Sequence, residues 1–189
     1  MEITIREMVT TVHGMLFGGF FLIGIFGMLV ELCRSSQSLE ESRLTPRGRS
    51  MERGYLIVLV LLGWTAVLSG AYIVYPWYRA TPPAGVTDLS LYPQRFLMAS
   101  ARTSGWHTLG MEWKEHVAWL APIAITMAAY VLTKYRGSMK EQSQVRAAVL
   151  TFALIAFLAA GIAGTFGAMI NQHAPTHGGD AIHLEGESK

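Results

Sequence analysis

The chain has 189 residues, of which 51% are hydrophobic and 15% are charged, and its formal net charge at neutral pH is +2. Soluble domains carry about 25% charged residues, so this composition favours a membrane protein. A single cysteine, Cys33, excludes an internal disulfide framework. The small net charge and the lack of phosphate-cradling or RNA-binding motifs argue against a nucleic-acid partner.

The first half of the chain contains two apolar segments that are long enough to cross a membrane. Residues 9–33 are apolar apart from His13 and Glu31. At about 1.5 Å per helical residue, such a segment spans a hydrocarbon core of roughly 30 Å. Residues 55–77 carry no charged side chain and end in tyrosines and a tryptophan, which is typical of a helix end among lipid headgroups. We predict one membrane helix in each segment.

The second half of the chain repeats this pattern. Residues 113–133 open with a charged turn that includes Lys114 and then continue without charge to the end of the segment. Residues 147–170 are uncharged and contain three glycines, which let helix backbones approach closely in lipid. The sequence therefore predicts an all-α integral membrane protein, an up-down-up-down bundle of four helices.

Charge in the connecting segments predicts the orientation of the bundle. Lysine and arginine are concentrated in residues 34–54 and 134–146, and loops of this kind lie on the cytoplasmic side. The external regions are then the N-terminus (1–8), a loop with a short interfacial helix over 95–103 (78–112) and a flexible tail (171–189). We expect a multi-pass protein of the bacterial inner membrane, with its N-terminus and C-terminus both outside.

Two histidines stand out because of their depth. His13 and His116 each lie about one turn inside the first and third helices, near the external face, where an ionisable side chain is a functional hypothesis by default. In such a bundle these helices are diagonal, so their axes are roughly 11 to 14 Å apart, a gap that suits a flat cofactor held from both sides. The structural alternative is that each imidazole simply reaches the headgroup region.

Several further side chains fit a cofactor at this position. Glu112, four residues before His116, is placed to orient that imidazole, and His107 is an alternative ligand if the third helix begins elsewhere. Guanidinium groups bind carboxylates through paired donors, so three external arginines are candidate partners for haem propionates: Arg79, Arg95 and Arg102.

With these features the chain resembles the four-helix b-type membrane cytochromes, whose haem is held by histidines of different helices near one membrane face. The resemblance covers residues 9–170 and rests on the architecture and on His13 and His116. It implies that these two histidines are the axial ligands of a haem b. No histidine lies in the predicted cytoplasmic half, so one haem at most is implied.

The tail offers a different chemistry. His173, His177 and His183 follow one another at spacings of four and six residues, which is compatible with copper or zinc binding, although a polar, partly ordered tail is the explanation we favour. The external loop contributes aromatic contact area for a periplasmic cytochrome c or a larger subunit, or it is an interfacial lid over the bundle.

The predicted function is that of a small electron-transfer subunit in a respiratory or photosynthetic membrane complex. It would carry electrons between quinol and an external acceptor through one b-type haem, as part of an oxidoreductase complex and not as an enzyme on its own. Two alternatives stay open at this point. The chain is a cofactor-free accessory subunit of such a complex, or it handles copper or zinc through its external histidines.

Overall fold

The computed structural model describes residues 2–34, 45–135 and 143–183. Four long helices dominate it, together with one short helix and a pair of short strands. In chain order the elements are β1 (Glu2–Thr4), α1 (Ile5–Cys33), α2 (Pro46–Tyr78), α3 (Pro93–Met98), α4 (Trp106–Lys134), α5 (Ser143–His173) and β2 (Ala181–His183).

The helices α1, α2, α4 and α5 are each long and apolar enough to cross a membrane, with mean hydropathies between 1.5 and 2.3 over their most apolar windows. The prediction of a helical protein with four membrane spans is confirmed at this level. Most large apolar side chains on these helices face outward, as expected where the surroundings are lipid.

The long helices extend beyond the apolar stretches from which they were predicted. Helix α2 begins at Pro46 and not at residue 55, because the Thr45 hydroxyl accepts a hydrogen bond from the Gly48 amide (3.0 Å) and proline is well suited to the first helical turn. Helix α4 begins at Trp106 and not at residue 113. The first turns of both helices are polar, so the sequence predicts them as loops, but they are helical in the structure.

Each long helix packs mainly against its two neighbours in the bundle. Helix α1 packs against α2 and α5, and α4 packs against the same two helices, so α1 and α4 lie across the bundle from each other. Alanines of α4 and α5 face each other in the core, which allows these two backbones to approach closely. Large, fully buried side chains fill the remaining space: Phe21 and Ile25 of α1, Leu59 of α2 and Ile125 of α4.

Three of the four long helices contain π-helical turns. These turns are Val12–Gly19 in α1, Gly70–Val74 in α2, and Trp106–Met111 and Trp113–Val117 in α4. Wide turns of this kind are rare and often mark functional sites. Direct contacts between these segments, described below, bring them together at one end of the bundle.

The chain termini meet at this same end. Strands β1 and β2 pair antiparallel, with Ile3 opposite Ile182, and the Ile5 amide donates to the Asp180 carbonyl (3.1 Å). Ala174 and Thr176 are buried. Within the predicted flexible tail, residues 171–183 contain the end of α5, buried residues and strand β2; the last six residues lie outside the described part of the chain.

The loop between α2 and α4, which the sequence predicts to be external and which we call the external loop, also folds onto the bundle. Helix α3 is shorter than the helix predicted over residues 95–103, since the chain after Met98 turns and the Thr103 hydroxyl donates to the Leu97 carbonyl (2.7 Å). Leu97 is completely buried in a second, smaller core with Tyr78 and Ile170. This core fastens the loop to the ends of α2 and α5.

Candidate functional site

His13 occupies the π-helical turn of α1, and its half-buried imidazole faces α2. The Nδ1 atom lies 3.0 Å from the hydroxyl oxygen of Ser69. The ring lies against Gly70, where a Cβ atom would approach the His13 Cε1 atom to 2.7 Å. Only glycine at this position leaves room for the imidazole.

The hydrogen bonds of Ser69 determine which nitrogen of His13 carries the proton. The Ser69 hydroxyl donates to the Ala66 carbonyl (3.2 Å), and a hydroxyl has one proton to donate. With that proton engaged, the hydroxyl oxygen accepts from the Nδ1–H group of His13. No hydrogen bond to Nε2 is present among residues 2–34, 45–135 and 143–183. An imidazole held through Nδ1–H with a free Nε2 is the usual arrangement of a metal-ligating histidine.

Lys114 brings a positive charge into the same region. Its half-buried side chain crosses from α4 to α5, where a Cβ atom on Gly167 would lie 2.9 Å from the ammonium nitrogen, and it lies within electrostatic range of His13. Within the described part of the chain no acceptor hydrogen-bonds or ion-pairs with this nitrogen. We call His13, Ser69, Gly70, Lys114 and Gly167 the His13 centre.

His116 faces away from the His13 centre. Residues two apart in a helix point in directions that differ by about 200°, so Lys114 and His116 cannot both face the interior. The His116 side chain is 70% exposed, and its Nδ1 atom donates to the Glu112 carbonyl (3.0 Å), with the Glu112 carboxylate 3.5 Å away. Glu112 thus lies beside His116, at the position expected for an orienting group.

The positions of His13 and His116 show how well the two residues fit a haem site with two histidine ligands. Both imidazoles would have to direct a free Nε2 at one iron from opposite sides. His13 meets this requirement in part: its Nε2 has no hydrogen bond among the described residues, but the Cε1–Nε2 edge of the ring packs against Gly70, where a Cβ atom would lie 3.2 Å from Nε2. His116 does not meet it, because its exposed ring lies on the outer face of α4. The structure does not bring the two rings together.

His107 has both of its nitrogens engaged. It is 9% exposed, its Nδ1 atom lies 2.8 Å from the Tyr78 hydroxyl, and its Nε2 atom lies 3.3 Å from the side-chain nitrogen of Gln94. The residue therefore joins the end of α2, helix α3 and the start of α4. This arrangement leaves no free nitrogen for a metal and gives His107 a structural role.

The three candidate propionate partners differ in their surroundings. Arg79 donates to the Tyr75 hydroxyl (2.9 Å) and lies 4.0 Å from Oε1 of Glu115, a buried oxygen without a hydrogen bond. Arg95 and Arg102 are exposed on the external loop. Arg79 alone among them contacts side chains of α2 and α4 at the end of the bundle.

The tail histidines His173 and His177 have different contact partners. His173 donates from Nδ1 to the Met169 carbonyl (2.8 Å) and its ring lies beside that of Trp106, whereas His177 contacts the Glu7 carboxylate (2.7 Å). His183 belongs to β2, and its side chain lies outside the described residues. In the described ranges no three His, Cys, Asp or Glu residues form a group that could hold a metal ion.

Nothing in the sequence marks Ser69 or Gly70 as functional, because serine and glycine are common in membrane helices. Lys114 was visible as a charge at the start of an apolar segment, and its charge was a signal for a residue that faces the bundle interior. The pairing of Glu7 with His177 depends on the meeting of the two chain termini, which the sequence does not reveal.

The four apolar spans and the polar groups enclosed at one of their ends define a multi-pass membrane protein with an internal polar centre. No protein-family model, no curated protein and no solved structure matches this chain. Its function is therefore inferred from the residues themselves.

Proposed function

We propose that this protein is a small electron-transfer subunit of a membrane complex and that one b-type haem binds at the His13 centre. The observation that supports this most directly is the state of His13. Its Nδ1–H is fixed by Ser69, and its free Nε2 is the atom that ligates iron in haem proteins. A haem in this position supplies a group that reversibly gains and loses one electron.

The chain's own residues would hold this group as follows. His13 is one axial ligand, and Ser69 keeps its ring oriented. Lys114 provides an ammonium group that has no partner among the described residues and to which a propionate carboxylate can bind. Arg79, Arg95 and Arg102 remain the candidate partners for the outer carboxylate.

A haem held by two protein ligands would need one ligand besides His13. For His116 to be that ligand, helix α4 has to rotate about its axis, which would turn Lys114 out of the interior at the same time. Separate His116→Ala and His173→Ala variants test the two candidates whose Nε2 atoms have no hydrogen bond among the described residues, and loss of the second ligand is expected to change the haem spectrum.

We also propose an orientation in the membrane and a set of partners for the protein. We place the protein in the bacterial inner membrane as an up-down-up-down bundle with both termini outside, because the basic residues cluster at the opposite ends of the helices. The described part of this cluster comprises Arg47, Arg49, Arg53, Lys134 and Arg146. Quinol and a periplasmic cytochrome c are the proposed redox partners, and other subunits of the complex pack around the spans.

The experiment is a reduced-minus-oxidised absorbance spectrum of the purified protein. We expect a b-type haem signal in the wild type and its loss in the His13→Ala variant. His177→Ala is the matched control, because it removes a histidine that lies outside the His13 centre and should leave the spectrum unchanged. Equal spectra of the two variants would contradict the assignment of His13.

A second candidate function is that of a cofactor-free accessory subunit. The divergence of His13 and His116 supports it, since the sequence-based haem site requires both rings to face one iron. In this case the wild-type protein co-purifies with a larger membrane complex, is fully assembled and has no haem absorbance.

A further inference from the structure

A basic cleft lies between α2 and α4 at the end of the bundle opposite the His13 centre. It encloses a cavity of about 50 Å³, several times the roughly 15 Å³ that one water molecule requires. Its walls consist of Arg49, Glu52, Arg53 and Leu56 from α2, and Leu132 and Thr133 from α4.

The charge of the cleft favours an anion. Arg49 and Arg53 are four residues apart in α2 and therefore lie on one face of the helix. Neither guanidinium forms a hydrogen bond or ion pair with a side chain in the described ranges. Glu52 is the one acidic residue of the lining, so cationic side chains outnumber acidic ones. Two neighbouring guanidinium groups match the oxygens of a phosphate.

The floor of the cleft is apolar. Leu56 and Leu132 are almost completely buried there, with exposures of 5% and 6%, whereas Arg49 and Arg53 are exposed above them. Contact with apolar side chains would add no binding free energy for a free phosphate ion. A phospholipid gains from both parts, because its phosphate contacts the arginines while its glycerol and first acyl carbons contact the leucines.

We propose that this cleft is a binding site for the headgroup of an anionic phospholipid. Clefts between membrane helices with clustered basic residues bind such headgroups. The site is independent of the haem proposal, since Arg49 and Ser69 are separated by about 30 Å along α2 at roughly 1.5 Å per residue. Loss of either site leaves the other one intact.

The test is native mass spectrometry of the full chain in detergent with added phosphatidylglycerol or phosphatidylcholine. We expect the wild type to retain phosphatidylglycerol in preference to phosphatidylcholine. The double variant Arg49→Gln, Arg53→Gln should bind phosphatidylglycerol about tenfold more weakly. Arg47→Gln is the matched control for the single variants Arg49→Gln and Arg53→Gln, because it also removes one charge from the same helix end but outside the cleft, and it should bind as the wild type does.

Three results would overturn the proposal. The first is an equal loss of binding in Arg47→Gln, which would mean that general surface charge attracts the lipid. The second is equal retention of both lipids by the wild type. The third is complete displacement of phosphatidylglycerol by millimolar inorganic phosphate, which would make a free anion the ligand. Circular dichroism verifies folding of the double variant, and the two single variants replace it if it does not fold.

Discussion

The Nδ1 atom of His13 lies 3.0 Å from the Ser69 hydroxyl, and this contact joins α1 to the last turn of α2 before its π-helical segment. It fixes the ring and its protonated nitrogen before any ligand binds. A preoriented imidazole loses less freedom on ligation, so the contact should increase the affinity of the His13 centre for a metal group.

Replacement of Ser69 by alanine tests this contact. The variant leaves Nδ1–H without its acceptor, and we expect haem retention to fall by about tenfold to a hundredfold in affinity, the usual effect of removing such a partner. Haem titration of the apoprotein measures it. Ser50→Ala, an exposed serine of the same helix, is the control and should titrate as the wild type does. Unchanged affinity in Ser69→Ala would show that Ser69 does not support a ligand.

Gly70 is predicted to be intolerant of any side chain. Gly70→Ala introduces a Cβ atom within 2.7 Å of the His13 ring, and we expect a loss of about 1 to 3 kcal/mol in unfolding free energy through overpacking. Gly54→Ala is the control, because nothing lies within 4 Å of its added Cβ and a helical alanine is favoured over glycine. Denaturant unfolding in detergent compares the two variants. Equal stability would mean that the His13 ring is not packed against Gly70.

Lys114 is predicted to lower the stability of the fold. Lys114→Met keeps the length of the side chain and removes a charge that has no acceptor among the described residues, so we expect the unfolding free energy of the haem-free protein to rise by about 1 to 2 kcal/mol. Lys134→Met, at the exposed end of α4, is the control and should stay within about 0.5 kcal/mol of the wild type. A destabilised Lys114→Met variant would reveal an anionic partner inside the bundle.

His107 and His116 are predicted to differ in their effects on stability. His107→Ala leaves the buried Tyr78 hydroxyl without its partner and loosens the external loop, at a cost of about 1 to 3 kcal/mol. His116→Ala removes an exposed ring and should change stability by less than about 0.5 kcal/mol. Thermal unfolding gives the difference, and limited proteolysis should cleave the loop over 79–105 faster in His107→Ala only. A similar response of both variants would contradict the structural role of His107.

Hydropathy was sufficient to predict the four spans, because an uninterrupted apolar run of this length rarely occurs outside a membrane-spanning helix. The rotation of α4 about its own axis, which decides which side chains point into the bundle, could not be predicted from hydropathy. Lys114 and His116 occupy one charged turn, and although the charge of Lys114 favours a place inside the bundle, the predicted haem site required His116 to point inward instead. The contacts of His107 with Tyr78 and Gln94 depend on the fold of the external loop, and the pairing of β1 with β2 joins short segments that have no strand pattern of their own.

The haem content of the purified wild-type protein is the most direct measurement of the central claim that the His13 centre holds a redox group. It is obtained by pyridine haemochrome absorbance, with protein quantified by amino-acid analysis on the same sample. One b-type haem per folded chain, falling to none in His13→Ala, is the predicted result. A folded wild-type chain that contains no haem when expressed with ample haem supply would contradict it.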